Sequence, residues 1–179
     1  MKSYLRRRAF AASSLLVLCV VSAVGALYVH ANLALSPLPL GHRMPPLPLL
    51  SLNGQAFVQD TGDREKSLLI FFAPGCSHCR RELSNLDGLM PRFTGKLHVL
   101  GISLDNLEST EAFEAEMNLK FPIVVADKAQ LEKTFKLNIL PAFFCVDEFG
   151  VLKNYYTGEH SLAVDERLID NLISSSNAP

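Results

Sequence analysis

Two cysteines stand two residues apart in Cys76-Ser77-His78-Cys79, a spacing at which two thiols can close and reopen a disulfide within one helical turn. The nucleophile in disulfide exchange is a thiolate, so a working cysteine needs surroundings that favour negative charge and a sulfur open to a partner. The apolar run Leu68-Leu69-Ile70-Phe71-Phe72-Ala73 before the pair has strand length, and Arg80-Arg81-Glu82-Leu83 after it reads as helix. Cys76 is therefore expected at a helix N-terminus, where unpaired N–H groups and the macrodipole favour an anion. His78 and Arg80 fall in the first turn and add positive charge, while Pro74-Gly75 breaks the strand and leaves the first sulfur accessible. This order makes Cys76 the attacking thiol and Cys79, one turn deeper, the resolving one.

Other readings of the same residues are a structural metal site and a pair of inert thiols. A structural zinc site needs four ligands, and His30, His42, His98 and His160 are scattered along the chain, so no metal and no cofactor is expected. His78 is read as a tuner of the thiolate, with simple solvation as its bland alternative. Arg80 and Arg81 are read as ordinary solvated charges. Cys19, in an apolar stretch, and Cys145, in the strand-like Ala142-Phe143-Phe144-Cys145-Val146, are read as packing residues. A second site is Leu140-Pro141. An X–Pro bond adopts cis at modest cost, and a cis proline facing the dithiol would present the backbone of Leu140 to an extended substrate. The residues alone leave a trans proline at a strand start as the commoner arrangement.

The elements that must hold these residues follow from hydrophobic period and turn chemistry. Leu49 to Leu52, Asn53-Gly54 and Gln55 to Gln59 read as a hairpin with Asn-Gly in the turn. Arg80 to Met90 reads as a helix stopped by Pro91. Leu97 to Ser103 reads as a buried strand, Leu107 to Leu119 as a helix, Phe121 to Ala126 as a strand and Lys128 to Phe135 as an amphipathic helix. Ala142 to Val146 and Val151 to Tyr156 form a terminal hairpin, and Leu162 to Ile173 a last helix. Strands alternating with helices and ending in a hairpin predict an α/β fold, a mixed sheet covered on both faces.

The N-terminus carries Lys2, Arg6, Arg7 and Arg8, followed by an uncharged apolar stretch from Ala9 to Val29. As a helix that stretch would reach about 31 Å, the thickness of a bilayer core. It reads as a single transmembrane anchor after a cytoplasmic segment 1–8, with a cleavable signal peptide as the alternative because Val29-His30-Ala31 suits a peptidase. The expected order is anchor 9–29, a stiff Pro-rich linker 30–48, a globular domain 49–174 and a tail 175–179. Basic residues ahead of the anchor place that domain outside the cytoplasm, in the periplasm or its equivalent, and cleavage would make it secreted. All 18 acidic residues follow position 30, against 13 of the 17 basic ones. That negative balance argues against nucleic-acid partners.

From Pro45 to Ile173 the chain resembles the thioredoxin superfamily, in particular its membrane-anchored TlpA- and ResA-like redoxins. The resemblance is carried by Leu69-Ile70-Phe71-Phe72-Ala73 before the dithiol, by Val99-Leu100-Gly101-Ile102-Ser103-Leu104-Asp105, and by Leu137 to Gly150 with its Leu140-Pro141. It implies a thioredoxin-like fold, a cis Leu140-Pro141 bond, a redox-active Cys76–Cys79 disulfide, and exchange with protein thiols and disulfides outside the cytoplasm, apocytochrome c thiols among them. The residues depart from that pattern in places. Pro74-Gly75 replaces an aromatic residue before the first cysteine, and Ile70 stands where thioredoxin has a buried acid, so that proton relay is expected to be missing. Pro-Gly-Cys-x-His-Cys is similar to MauD-like accessory proteins and, through His78, to oxidising DsbA proteins, with Ser77 in place of their proline. The direction of electron flow stays open between reductant and oxidant.

Two other functions are weighed. A peroxiredoxin-type peroxidase needs Thr or Ser three residues before its nucleophile, and that residue is Ala73. A copper metallochaperone would hold a soft metal ion with the dithiol and a distant His such as His160, but its cysteines are normally more widely spaced.

Overall fold

The computed structural model describes residues 19–25, 38–57, 65–127, 129, 131, 135 and 137–174. The chain divides into two units, Met1–Ser36 and Pro37–Pro179. In the first, residues 19–25 are helical. The rest of the expected anchor 9–29 lies outside the described residues, as do the basic segment and the tail 175–179. Among the described residues no helix is long and apolar enough to cross a membrane.

The second unit is built on seven strands: β1 (Leu49–Ser51), β2 (Ala56–Phe57), β3 (Ser67–Phe72), β4 (His98–Ser103), β5 (Ile123–Ala126), β6 (Ala142–Val146) and β7 (Leu152–Thr157). They form one sheet in the order β2-β1-β5-β4-β3-β6-β7. Parallel pairs join β3 to β4 and β4 to β5; β3–β6, β6–β7, β1–β5 and β1–β2 are antiparallel. Three helices are described end to end: α1 (Ser77–Phe93), α2 (Leu107–Met117) and α3 (Leu162–Ser174). Between β5 and β6, Ala129, Leu131 and Phe135 are helical, in line with the amphipathic helix read there.

The uninterrupted apolar run of β3 is explained by its place at the centre of the sheet, buried on both faces. Leu68, Ile70 and Phe72 pack on one face with Leu83, Leu86, Phe93, Phe113 and Ile169 from the three helices. Leu69 and Phe71 pack on the other with Leu131, Phe135 and Phe144. Phe71 and Phe144 meet edge to face at 5.0 Å between centroids, an arrangement that contributes beyond its buried area. Gly101 of β4 is small of necessity: a Cβ there would lie 3.2 Å from Ile123 Cγ1 and 3.4 Å from Phe72 Cε1.

Three details differ from the sequence-based expectations. α1 does not stop at Pro91 but runs on to Phe93. Proline removes the N–H that would bond the carbonyl four residues back, which is Asp87 O; Lys120 Nζ donates to that oxygen instead, at 3.3 Å. The Asn53-Gly54 turn is not a two-residue loop. Ser51 N donates to Gln55 O at 2.9 Å, and only Gly54 has positive φ, at 78°, which is a three-residue loop closed by a left-handed glycine. Part of the segment expected as a linker lies against the domain: Gly41 N donates to Leu152 O, Leu152 N to His42 O and Met44 N to Gly150 O, at 2.8 to 2.9 Å.

Candidate functional site

Cys76 caps α1. Its backbone is extended, with φ −85° and ψ 113°, and its Sγ accepts the backbone N–H of Cys79 at 3.2 Å. The sulfur thus takes the place that a Ser or Asp oxygen fills at an ordinary helix start, and negative charge on it is favoured by that donor and by the helix dipole. Cys76 is half-buried and Cys79 has no exposed surface. Burial pushes the Cys79 thiol up to about 12, with the Cys76 side chain reinforcing the shift. All four cysteines are free thiols.

The two candidate sites come together through strand register. β3 and β6 pair antiparallel with Phe71 opposite Ala142, so Pro141 sits beside the end of β3 where the chain leaves for Cys76. The Leu140-Pro141 bond is cis, as the resemblance implies. Leu140 is half-buried and packs against both cores, and Ile139 before it is 57% exposed.

Three consecutive residues after β7 tie this region to α1. Gly158, at φ 87°, donates its N–H to Pro141 O at 2.7 Å. Glu159 accepts from Arg81 Nε at 2.8 Å and from Arg81 Nη2 at 2.7 Å, and His78 Nδ1 lies 2.6 Å from its Oε2. These bonds, Arg81 first, hold the Glu159 carboxyl down to about 2. His160 donates its backbone N–H to Glu82 Oε2 at 3.1 Å.

The exposed His78 ring therefore lies on the rim of the site, its Nδ1 2.6 Å from Glu159 Oε2 and 2.9 Å from Arg81 Nη2. Arg80 and Arg81 are not the ordinary solvated charges expected. Arg80 Nε donates to Pro74 O at 2.9 Å, Nη1 pairs with Glu116 at 2.8 Å, and the guanidinium lies 5.0 Å from the Phe113 ring centre. Arg81 is clamped by Glu159, whose hydrogen bonds raise the guanidinium above its ordinary value.

The sequence reading singles out neither Glu82 nor Asp165, and considers His160 only as a distant ligand in the copper-metallochaperone alternative. Ile70 is fully buried and apolar as read, but a buried acid is supplied from α1: Glu82, with no exposed surface, one turn beyond Cys79. Burial pushes it up to about 8, with Asp165 adding to the shift. A signal existed in the spacing, because Glu82 stands three residues after Cys79 and beside Leu83, inside the buried arc of the helix. Nothing local marks His160 and Asp165, whose approach depends on how the β7–α3 connection folds back.

A dithiol at a strand-to-helix turn, an adjacent cis proline and a mixed sheet define a thioredoxin-like thiol-disulfide oxidoreductase. The pattern of the AhpC/TSA family matches residues 40–155, and the chain belongs to that family. It is 27% identical over 134 residues to the thioredoxin-like protein YneN of Bacillus subtilis, covering 73% of this chain and 78% of that protein. It is 23% identical over 160 residues to the thiol-disulfide oxidoreductase ResA of Geobacillus kaustophilus, covering 88% and 92%. The crystal structure of a thiol:disulfide interchange protein DsbE from Chlorobium tepidum shares the fold, with a TM-score of 0.66 over 75% of this chain and 99% of that one at 20% identity.

Proposed function

We propose that the chain exchanges disulfides with partner proteins outside the cytoplasm, from a domain held to the membrane by the apolar segment 9–29. The observation that carries the chemistry is the asymmetry of the dithiol: Cys76 is half-buried at a helix N-terminus with an N–H donor on its sulfur, and Cys79 is sealed beneath it. The basic-then-apolar N-terminus supports the anchored, periplasmic reading.

In the reducing direction, the Cys76 thiolate attacks one sulfur of a partner disulfide. A mixed disulfide forms, and the partner's other sulfur leaves and takes a proton. Cys79 then loses its proton and attacks Cys76 Sγ; the Cys76–Cys79 bond forms and the partner's second thiol departs. The partner gains two electrons and this chain loses them. Run backwards, the same steps oxidise a partner dithiol. The high proton affinity of Cys79 keeps it a thiol until the mixed disulfide brings a sulfur within reach, which delays premature release. Pro141, set by the β3–β6 register beside the end of β3, and the exposed Ile139 two residues before it offer the backbone edge and apolar surface against which an extended partner segment would lie. Thiols of exported proteins, apocytochromes c among them, are the partner class.

The test is trapping. Cys79→Ala is expected to accumulate mixed disulfides through Cys76 in cells expressing the full chain, and the double variant Cys76→Ala/Cys79→Ala to accumulate none. Recovery of equal adducts from both would end this assignment of roles.

A further inference from the structure

Behind the dithiol, on the far side of α1 from solvent, three side chains converge that the exchange chemistry does not account for. Glu82 comes from α1, His160 from the β7–α3 connection and Asp165 from the first turn of α3. Glu82 is fully buried, Asp165 is 4% exposed, and the His160 side chain is 24% exposed. One donor atom from each lies within 4.8 Å of the others. His160 Nδ1 is 3.8 Å from a carboxylate oxygen of Glu82 and 3.8 Å from one of Asp165. These separations are too long for direct hydrogen bonds. Accordingly Glu82 Oε1, His160 Nδ1 and Asp165 Oδ2 have no hydrogen-bond partner among the described residues.

Buried polar atoms without partners are costly, and two of them, Glu82 Oε1 and His160 Nδ1, face each other at 3.8 Å with Asp165 Oδ1 at the same distance from the imidazole, which points to something between them. The charge narrows what that is. Two carboxyl groups are buried here, and among the described contacts His160 is the one cation-forming side chain set against them. A divalent cation would cancel both carboxylates and give Glu82 Oε1 and His160 Nδ1 a partner, with an Asp165 carboxylate oxygen completing the set. The two His160 separations of 3.8 Å, with all three donors within 4.8 Å of one another, lie somewhat above the roughly 3.4 Å that tetrahedral ligands about 2.1 Å from a transition metal keep between them, so the three side chains would draw in on binding. A neighbouring cavity of about 10 Å³ touches His160 and Asp165 but is otherwise lined mostly by apolar side chains, Leu68, Leu86, Phe143 and Ile169 among them. Exposure of the His160 ring edge gives an ion a way in.

We propose that Glu82, His160 and Asp165 form a mononuclear site for a borderline divalent transition-metal ion, Zn(II) being the reference case. The donor set of one imidazole and two carboxylates with an open position fits that class. It is separate from the sulfur atoms and does not rest on the exchange reaction.

The experiment uses the full-length chain carrying Cys76→Ser and Cys79→Ser, so that the dithiol cannot bind the ion. Co(II) is titrated while visible absorption is followed, and Zn(II) is then added in competition with a chromophoric chelator. The expected result is one ion per chain, d–d bands without thiolate charge-transfer, and displacement by Zn(II). Asp165→Asn and His160→Gln preserve size, and each is expected to weaken binding by at least about 100-fold, the upper range for losing even an outer-sphere partner, while circular dichroism and melting show the variants folded. Three results would overturn the proposal: no saturable binding at micromolar ion, binding unchanged in both folded variants, or binding that vanishes with the two cysteines. The first would leave a water and a proton as the occupants of the cluster.

Discussion

Replacing Glu82 with Gln should remove a large part of the pH dependence of folding stability. Burial holds the Glu82 carboxyl at about 8 against an ordinary 4.5, so the folded chain keeps this proton where the unfolded chain has released it. The sign follows: the contribution is complete below about 4.5, declines as pH rises, and is gone above about 8. At 1.36 kcal/mol per pH unit for one proton, the whole window is worth at most about 5 kcal/mol. Glutamine keeps the volume of the side chain, and its carbonyl can accept the His160 N–H that Glu82 Oε2 accepts now. The assay is chemical denaturation at about pH 5 and about pH 8 in the presence of a strong chelator, with the denaturant slope compared between proteins. Wild type should lose up to about 4 kcal/mol across that interval, and Glu82→Gln should lose much less. A residual decline is expected in the variant, because burial raises Asp165 as well and gives the same sign. Parallel stability curves for the two proteins would show that Glu82 does not hold its proton in the folded state.

Glu159 should behave in the opposite sense: its carboxyl is held down to about 2, so the tie between the β7–α3 connection and His78 and Arg81 is present above about 4.5 and lost as pH falls towards 2. The protection of the Gly158 to Ser161 amides, taken relative to the intrinsic exchange rate at each pH, should fall over that range in wild type, whereas Glu159→Gln should show low protection already at neutral pH; equal profiles would deny the clamp. At the proline in α1, Lys120→Met should cost about 1 kcal/mol by removing both the Lys120 ion pair with the Asp87 carboxylate at 2.9 Å and the bond to the Asp87 carbonyl, and Pro91→Ala should recover the carbonyl's share by supplying an N–H. Denaturant unfolding of the four combinations measures the coupling, and strictly additive effects would contradict it.

The strand and helix order could be read from the sequence because each element is locally consistent: β3 is apolar throughout where it is buried on both faces, and α1 and α3 show their apolar stripes at helical spacing. The dithiol could be read for the same reason, since its strand, its turn and its helix are contiguous. What could not be read is tertiary. Pro91 looks like a helix stop until a lysine from the loop before β5 takes over the bond it forfeits. Arg80 and Arg81 look solvated until Glu116 and Glu159 arrive from other elements. Ile70 correctly signals a missing acid on β3, but no local pattern shows that α1 supplies Glu82 instead, or that His160 and Asp165 fold back to meet it. The Leu140-Pro141 pair was visible as a motif, and its place beside Cys76 follows from the β3–β6 register.

The central claim is that Cys76 and Cys79 act as one two-electron couple. Equilibrating the full chain in thiol–disulfide buffers of graded potential, then counting free thiols by maleimide mass shift, tests it directly. The expected result is a single transition of two thiols, assigned by peptide mapping to Cys76 and Cys79 and absent in either single Cys→Ser variant, with Cys145 reduced throughout. Oxidation that pairs Cys76 with another chain, or that never closes the Cys76–Cys79 bond, would contradict it.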